Sequence, residues 1–370
     1  MDKKKILIVS QAFFPENSPR SFRSTALVKE LAKVGHHVTV ITPFDNSLHT
    51  QFARENNIHI KDMGKFSWKP IAIKGKGIER LLRRAIFRFS NLLFEYPGVQ
   101  LLWLAKNALK NESGYDMMIS FAVPYPVHWG VAAATTAEKP IARVWVADCG
   151  DPYMGEKTDS FRKLFYFKYI EKWFCKKADF ITVPTVGSID GYYPEFHKKI
   201  RVIPQGFNFE ETILFEGAVE NAVPTFAYAG GFIPGVRDPR ILLDFLCKYQ
   251  SPFKFIIYTT SKDIIEPYVK ASNGRIESRD YIPREELLFE LSKMDFLVNI
   301  NNGTSVQTPS KLIDYALTKR PILSIDTEMK DRDMVNEFLQ GNYSRQFEVE
   351  DFEKYQIENV VRQFLELSEN

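Results

Sequence analysis

"KKILIVSQAFFPENSPRSFRSTALVKELAKVGHHVTVIT", residues 4–42, contains a complete unit of one fold type. Its opening Ile6–Val9 run is apolar without alternation, as in a parallel strand buried on both faces. A loop with Pro15 and Pro19 follows, and 21–34 then repeats apolar residues at helical spacing. Gly35 ends that helix, and "HHVTVIT" supplies a second strand. Strand, loop, helix, glycine and strand make a βαβ unit. Its loop lies at the carboxyl end of the strand, where open α/β sheets hold ligands.

Working outward, strands are predicted at 115–121, 141–148 and 179–185, with a helix near 161–177. "KKIRVIPQGFN" (198–208) reads as a short strand and a Pro–Gly turn, a natural domain junction. The second half then repeats the pattern: "TFAYAGG", "FKFIIYTT", "DFLVNIN" and "RPILSID" as strands, with helices between them. The expected fold class is α/β, two Rossmann-like doubly wound domains, one over 1–203 and one over 204–350, with a cleft between their strand ends. A chain of 370 residues is long enough for two such cores.

Bulk properties narrow the function. The net charge of +3 and the lack of any reader motif argue against nucleic acid as a partner. The three cysteines are widely separated, odd in number and not in metal-ligand spacing, as in a reducing compartment. The charged start "MDKKKILIVS" is a first strand rather than a signal peptide. No stretch reaches the roughly 20 apolar residues that span a bilayer. A cytoplasmic protein is expected.

Four constellations can carry chemistry. "TPSKLIDYALTKRPIL" (308–323) begins as a capped helix, with Thr308 as cap and Pro309 at the first position. Its orphan N–H groups and positive dipole end suit phosphate; Ser310 adds a donor and Lys311 a charge. Asp314 lies about 6 Å further along the axis, suiting a diol beside a diphosphate. A capped amphipathic helix with solvated charges explains the same pattern. "AYAGGFIPGVRDP" (227–239) places Gly230 and Gly231 after a strand and Arg237 within reach of an anion, or in a surface ion pair with Asp238. "VWVADCGDPYMGE" (144–156) puts Asp148 and Asp151 at a strand-end rim, where a carboxylate can orient a hydroxyl or take its proton; turn chemistry alone also favours Asp there. Finally, "IKGKGIERLLRRAIFRF" (73–89) interleaves cations with apolar residues, as a helix lying on an anionic membrane surface does, and as a core-packed helix with a basic face also does.

Taken together these segments resemble the family 4 glycosyltransferases, retaining enzymes of GT-B fold that include bacterial polysaccharide-type transferases. "TPSKLIDYALTKRPILSID" is similar to the family's donor segment, "FAYAGGFIPGVRDP" to its phosphate-binding glycine loop, "RVIPQGFN" to its hinge, and "VADCGDPY" to an acceptor-side segment. The resemblance implies transfer of a sugar from a UDP- or GDP-sugar to a hydroxyl of a glycan or lipid-linked acceptor, without a required metal or other cofactor. It implies a donor-binding second domain, an acceptor-side first domain and a C-terminal helix near 351–370 that packs back on the first. Arg237, Lys311 and Ser310 would hold the diphosphate, Asp314 the ribose, and the loop at Tyr281 and Ile282 the base. On the acceptor side Arg20 and Arg23 stand where many members have paired glycines, and Asp148 and Asp151 where many carry a His. Val306 replaces a frequent Glu. Two other readings stay open: a nucleotide-sugar epimerase on the same fold, and a nucleotide-sugar-binding protein without turnover.

Overall fold

The computed structural model describes residues 2–69, 71–73, 77–155, 162–301 and 310–369. The chain divides into two compact units, Met1–Phe207 with Lys354–Asn370, and Asn208–Glu353.

In unit 1 the elements run β1 (Lys5–Val9), α1 (Pro19–Lys33), β2 (His37–Thr42), α2 (Asn46–Glu55), β3 (His59–Asp62), α3 (Gly77–Phe94), α4 (Gln100–Ala108), β4 (Tyr115–Phe121), α5 (Pro126–Ala134), β5 (Ala142–Asp148), α6 (Phe167–Lys177), β6 (Phe180–Val183) and β7 (Ile200–Val202). All seven strands are parallel, in the order β3-β2-β1-β4-β5-β6-β7. The apolar run of β1 is wholly buried, as a strand covered on both faces requires. Ser18 caps α1 by accepting from Ser21 N at 3.2 Å, and Pro19 takes the first turn. Leu27, Val28 and Leu31 then face the sheet.

Unit 2 contains β8 (Thr225–Ala229), α7 (Arg240–Lys248), β9 (Lys254–Tyr258), α8 (Lys262–Ala271), β10 (Ile276–Arg279), α9 (Arg284–Leu291), β11 (Phe296–Ile300), α10 (Ser310–Leu317), β12 (Ile322–Ile325) and α11 (Arg332–Leu339). Its five parallel strands are ordered β10-β9-β8-β11-β12. In each unit the strand order reverses once, between β1 and β4 and between β8 and β11. Loops leaving those strand ends diverge there and open a crevice. Both halves are therefore doubly wound.

The last helix, α12 (Ile357–Glu366), belongs to unit 1. Its Ile357, Val360, Val361, Phe364 and Leu365 share a core with Leu27 and Leu31 of α1. Phe207 N donates to Tyr355 O at 2.8 Å, and Ile357 N donates to Phe207 O at 2.9 Å. A Cβ on Gly206 would meet Ile357 Cδ1 at 2.5 Å, so the helix seats closely against this glycine. Helix α3 is the exception in unit 1, since none of its described residues is buried.

Candidate functional site

The β8/β11 crevice of unit 2 brings together residues from the two glycine- and helix-start segments. Gly230 follows the end of strand β8; its φ of +138° disfavours any side chain and its N–H donates to Tyr258 O at 2.9 Å. A tight hairpin follows. Ile233 N donates to Arg237 O at 3.0 Å and Arg237 N to Ile233 O at 2.8 Å, and Arg237 Nη1 reaches Gly231 O at 3.4 Å. Asp238 turns the other way: it accepts from Gly235 N at 3.1 Å and from Arg240 Nε at 2.8 Å. Asp238 thus secures the hairpin by pairing with Arg240.

Helix α10 enters the crevice from the neighbouring strand. Tyr315 accepts from Ala229 N at 2.8 Å, which ties the helix to the end of β8. Lys311 sits one residue into the helix, with Nζ 4.3 Å from the Tyr228 ring centroid. That Nζ is buried and has no hydrogen-bond partner among the described residues. Burial, and then the neighbouring Arg237 charge, hold the Lys311 ammonium down at about 7. A buried cation beside a second cation, at a helix N-terminus, is an arrangement that an anion stabilises.

Asp314 lies one turn further on. Arg284 Nε and Nη2 donate to its Oδ1 at 2.9 and 2.6 Å, while Oδ2 takes no bond among the described residues. Burial raises the Asp314 carboxyl and Arg284 opposes that rise. Just before α9, Tyr281 is exposed and Ile282 is half-buried against the core that includes Leu312 and Tyr315. Ser310 opens α10, but its side chain, Thr308 and Val306 lie outside the described residues. Sequence reasoning missed Tyr228, which reads as core strand, and Arg284, whose signal was the Pro-Arg-Glu-Glu helix start at 283–286.

Unit 1 handles its charges differently. Asp148 is fully buried at the end of β5. Arg23 grips it with Nε to Oδ2 at 2.7 Å and Nη2 to Oδ1 at 2.8 Å, and Thr182 donates to Oδ1 at 2.7 Å. Arg23 also donates to Ile203 O at 3.0 Å and Pro204 O at 2.5 Å. The two residues read as acceptor cation and rim acid are therefore one closed ion pair that braces the segment leaving β7. Arg20 stays partly open, 3.9 Å from Asp148. Its guanidinium lies flat on Gly150, where a Cβ would meet Nη2 at 2.1 Å. Asp151 is exposed, with its carbonyl accepting from Tyr125 Oη at 2.5 Å. Beneath them, burial holds His128 down at about 3, bonded to Ser120 Oγ at 2.8 Å. It stays neutral there.

Among the described residues no group of His, Cys, Asp and Glu is placed to hold a metal ion, and no helix is long and apolar enough to cross a membrane.

Two parallel-sheet domains, one with a cationic crevice at its strand ends, define the GT-B class of glycosyltransferases. Residues 24–211, just over half of the chain, match the family model described as Glycosyltransferase Family 4, and the chain belongs to that family. It transfers a sugar from a nucleotide-sugar donor to an acceptor. Among solved structures, a glycosyltransferase from Rickettsia africae is 13% identical with a TM-score of 0.63, covering 100% of this chain and 98% of that one. TarM of S. aureus is 12% identical with a TM-score of 0.63, covering 100% and 99%. Anabaena HepE, solved with UDP-glucose, is 10% identical with a TM-score of 0.56, covering 98% of each chain. At these identities the likeness speaks for the fold. No curated protein matches the sequence significantly.

Proposed function

We propose that this chain is a retaining glycosyltransferase that carries a UDP- or GDP-sugar on unit 2 and glycosylates a hydroxyl of a glycan or lipid-linked acceptor, in surface-polysaccharide or glycolipid assembly. The observation that carries the reading is the buried, unpartnered Lys311 Nζ beside Arg237 at the mouth of α10. There the two cations and the first N–H groups of α10 receive the diphosphate, with Ser310 and Thr308 assigned to the same end. Glycosidic cleavage leaves negative charge on that diphosphate, and fixed donors in a dry crevice stabilise it most as it develops. Such a grip makes a metal unnecessary. Asp314 Oδ2 accepts the ribose hydroxyls while Arg284 fixes Oδ1, and Tyr281 with Ile282 borders the base.

On unit 1 we assign Arg20 and Asp151 to the acceptor rim, with Arg23–Asp148 as its support. The basic helix α3 is assigned to the cytoplasmic face of an anionic membrane. Thermal-shift screening against UDP, GDP, ADP and their sugars tests the donor site. Stabilisation by one diphosphate family at millimolar concentration is expected, and equal response to unrelated nucleotides rejects it. Asp151→Asn is expected to lower kcat with UDP affinity unchanged. An α-linked product from an α-linked donor, read by NMR, establishes retention; a β-linked one overturns it.

A further inference from the structure

Helix α3 presents Ile78, Leu81, Leu82 and Phe89 outward, each 60–80% exposed, and lines two adjoining cavities at its C-terminal half. One is a groove of about 800 Å³ walled almost wholly by apolar atoms, with Trp68, Phe94, Tyr96, Trp103, Trp129 and Phe167 on it. Its rings are already packed: Trp68 stacks on Tyr96 at 5.8 Å, and Trp129 on Phe167 at 5.9 Å. The other is a cup of about 290 Å³ formed by Arg84, Arg88, Lys163, Phe89 and Leu92. Glu95 reaches Lys163 and also accepts from Tyr153 Oη at 2.9 Å. Successive turns of α3 thus pass from a cationic cup to an aromatic groove.

We propose that cup and groove form one site for a single lipid phosphate, whose hydrocarbon chain lies in the groove and whose phosphate rests on Arg84 and Arg88, beside the Lys163–Glu95 pair. The two cavities match the two halves of such an amphiphile in polarity and in charge, and their shared helix sets their order. The cup borders the rim loop through Lys163, whose Nζ lies 5.0 Å from the Tyr153 ring centroid, and so does the groove. Trp129 and Phe167 on its wall both pack edge-on against Tyr153, at 5.7 and 5.5 Å, and Tyr153 follows Asp151 by two residues. A lipid-linked acceptor bound here has its anionic end at unit 1, on the side of the rim loop. That role rests on the transferase reading above; the binding itself does not.

The test titrates monomeric octyl and decyl phosphate, decanol and decyltrimethylammonium into the full chain, following tryptophan fluorescence and equilibrium dialysis. Decyl phosphate is expected to bind at least tenfold tighter than decanol, and each added methylene to tighten binding up to about fourfold. Arg84→Gln with Arg88→Gln should abolish the preference for phosphate yet keep decanol binding, and Trp103→Asp, at a half-exposed position, should weaken both. Equal binding of the cationic amphiphile overturns the site. So does binding only to anionic phospholipid vesicles, which assigns α3 to a membrane surface alone, or a dimer that Trp103→Asp splits, which assigns the groove to a second copy. UDP stabilisation read on the same samples separates the two readings. Lost lipid binding with UDP binding intact sinks this site alone, and the converse sinks the donor site alone.

Discussion

The two crevices where strand order reverses are built alike but balance their cations differently. In unit 1, Arg23 meets a buried carboxylate, a hydroxyl-backed Asp148, and two backbone carbonyls. In unit 2, Lys311 Nζ is buried next to Arg237 and over the Tyr228 ring, with no carboxylate on it among the described residues. A cation whose charge is met within the chain holds the chain together. A cation left buried without a counter-charge costs stability until something anionic arrives. On the proposed reading the difference separates a brace from a binding site, although the local folds match.

The largest expected effect breaks the brace. Asp148→Asn strands the buried Arg23 guanidinium and should cost about 3–5 kcal/mol in urea unfolding, with UDP affinity of the folded protein kept. Replacing both partners together, Arg23→Met with Asp148→Leu, should recover most of that loss, since a closed pair often exchanges evenly for apolar packing. Unchanged stability in Asp148→Asn would sink the comparison from the unit 1 side.

Next come the two cations proposed to hold the diphosphate. Arg237→Gln and Lys311→Met should each weaken UDP by about 10- to 100-fold in calorimetry, the worth of a charge-assisted bond. Lys311→Met should at the same time stabilise the ligand-free protein, a direction opposite to Asp148→Asn. If both variants destabilise, the two crevices are of one kind.

A smaller effect follows from pH. The folded Lys311 titrates at about 7, below an unfolded value of about 10.4. Between those values the unfolded chain binds the extra proton, so stability should rise with pH from 7 to 10, with the burial cost full below 7. Thermal unfolding of the wild type against Lys311→Met over that window isolates the slope, and parallel curves would remove the premise. Smallest of all, Asp314→Asn should weaken UDP by roughly 3- to 10-fold and narrow its advantage over 2′-deoxy-UDP, the scale of one or two hydrogen bonds. An unaltered preference for ribose would place the diol elsewhere.

Much of this was legible in the chain. The buried run Ile6–Val9 and the Gly35 stop give the first βαβ unit, and "TPSKLIDYAL" with "AYAGGFIPGVRDP" marks the crevice of unit 2. Helix α5 escaped because all its faces are apolar: seven of its residues are buried, so no helical period shows. Strand β3, "HIKD", is a polar edge strand without alternation. The Arg23–Asp148 pair was invisible for another reason. Its members lie 125 residues apart, and each alone looks like a rim residue free to meet a ligand. Pattern assigns residues to an edge of a sheet, whereas only packing reveals which charges close on each other.

The most direct measurement is proton uptake on UDP binding at pH 8, from calorimetry in two buffers of different ionisation enthalpy. At that pH the diphosphate is fully ionised, its last proton leaving near pH 6 as for other phosphates, and free Lys311 is mostly neutral. The account predicts uptake close to one proton in the wild type, none in Lys311→Met, and weaker binding in the variant. Binding without uptake, or the same affinity in both proteins, would contradict a diphosphate seated on Lys311.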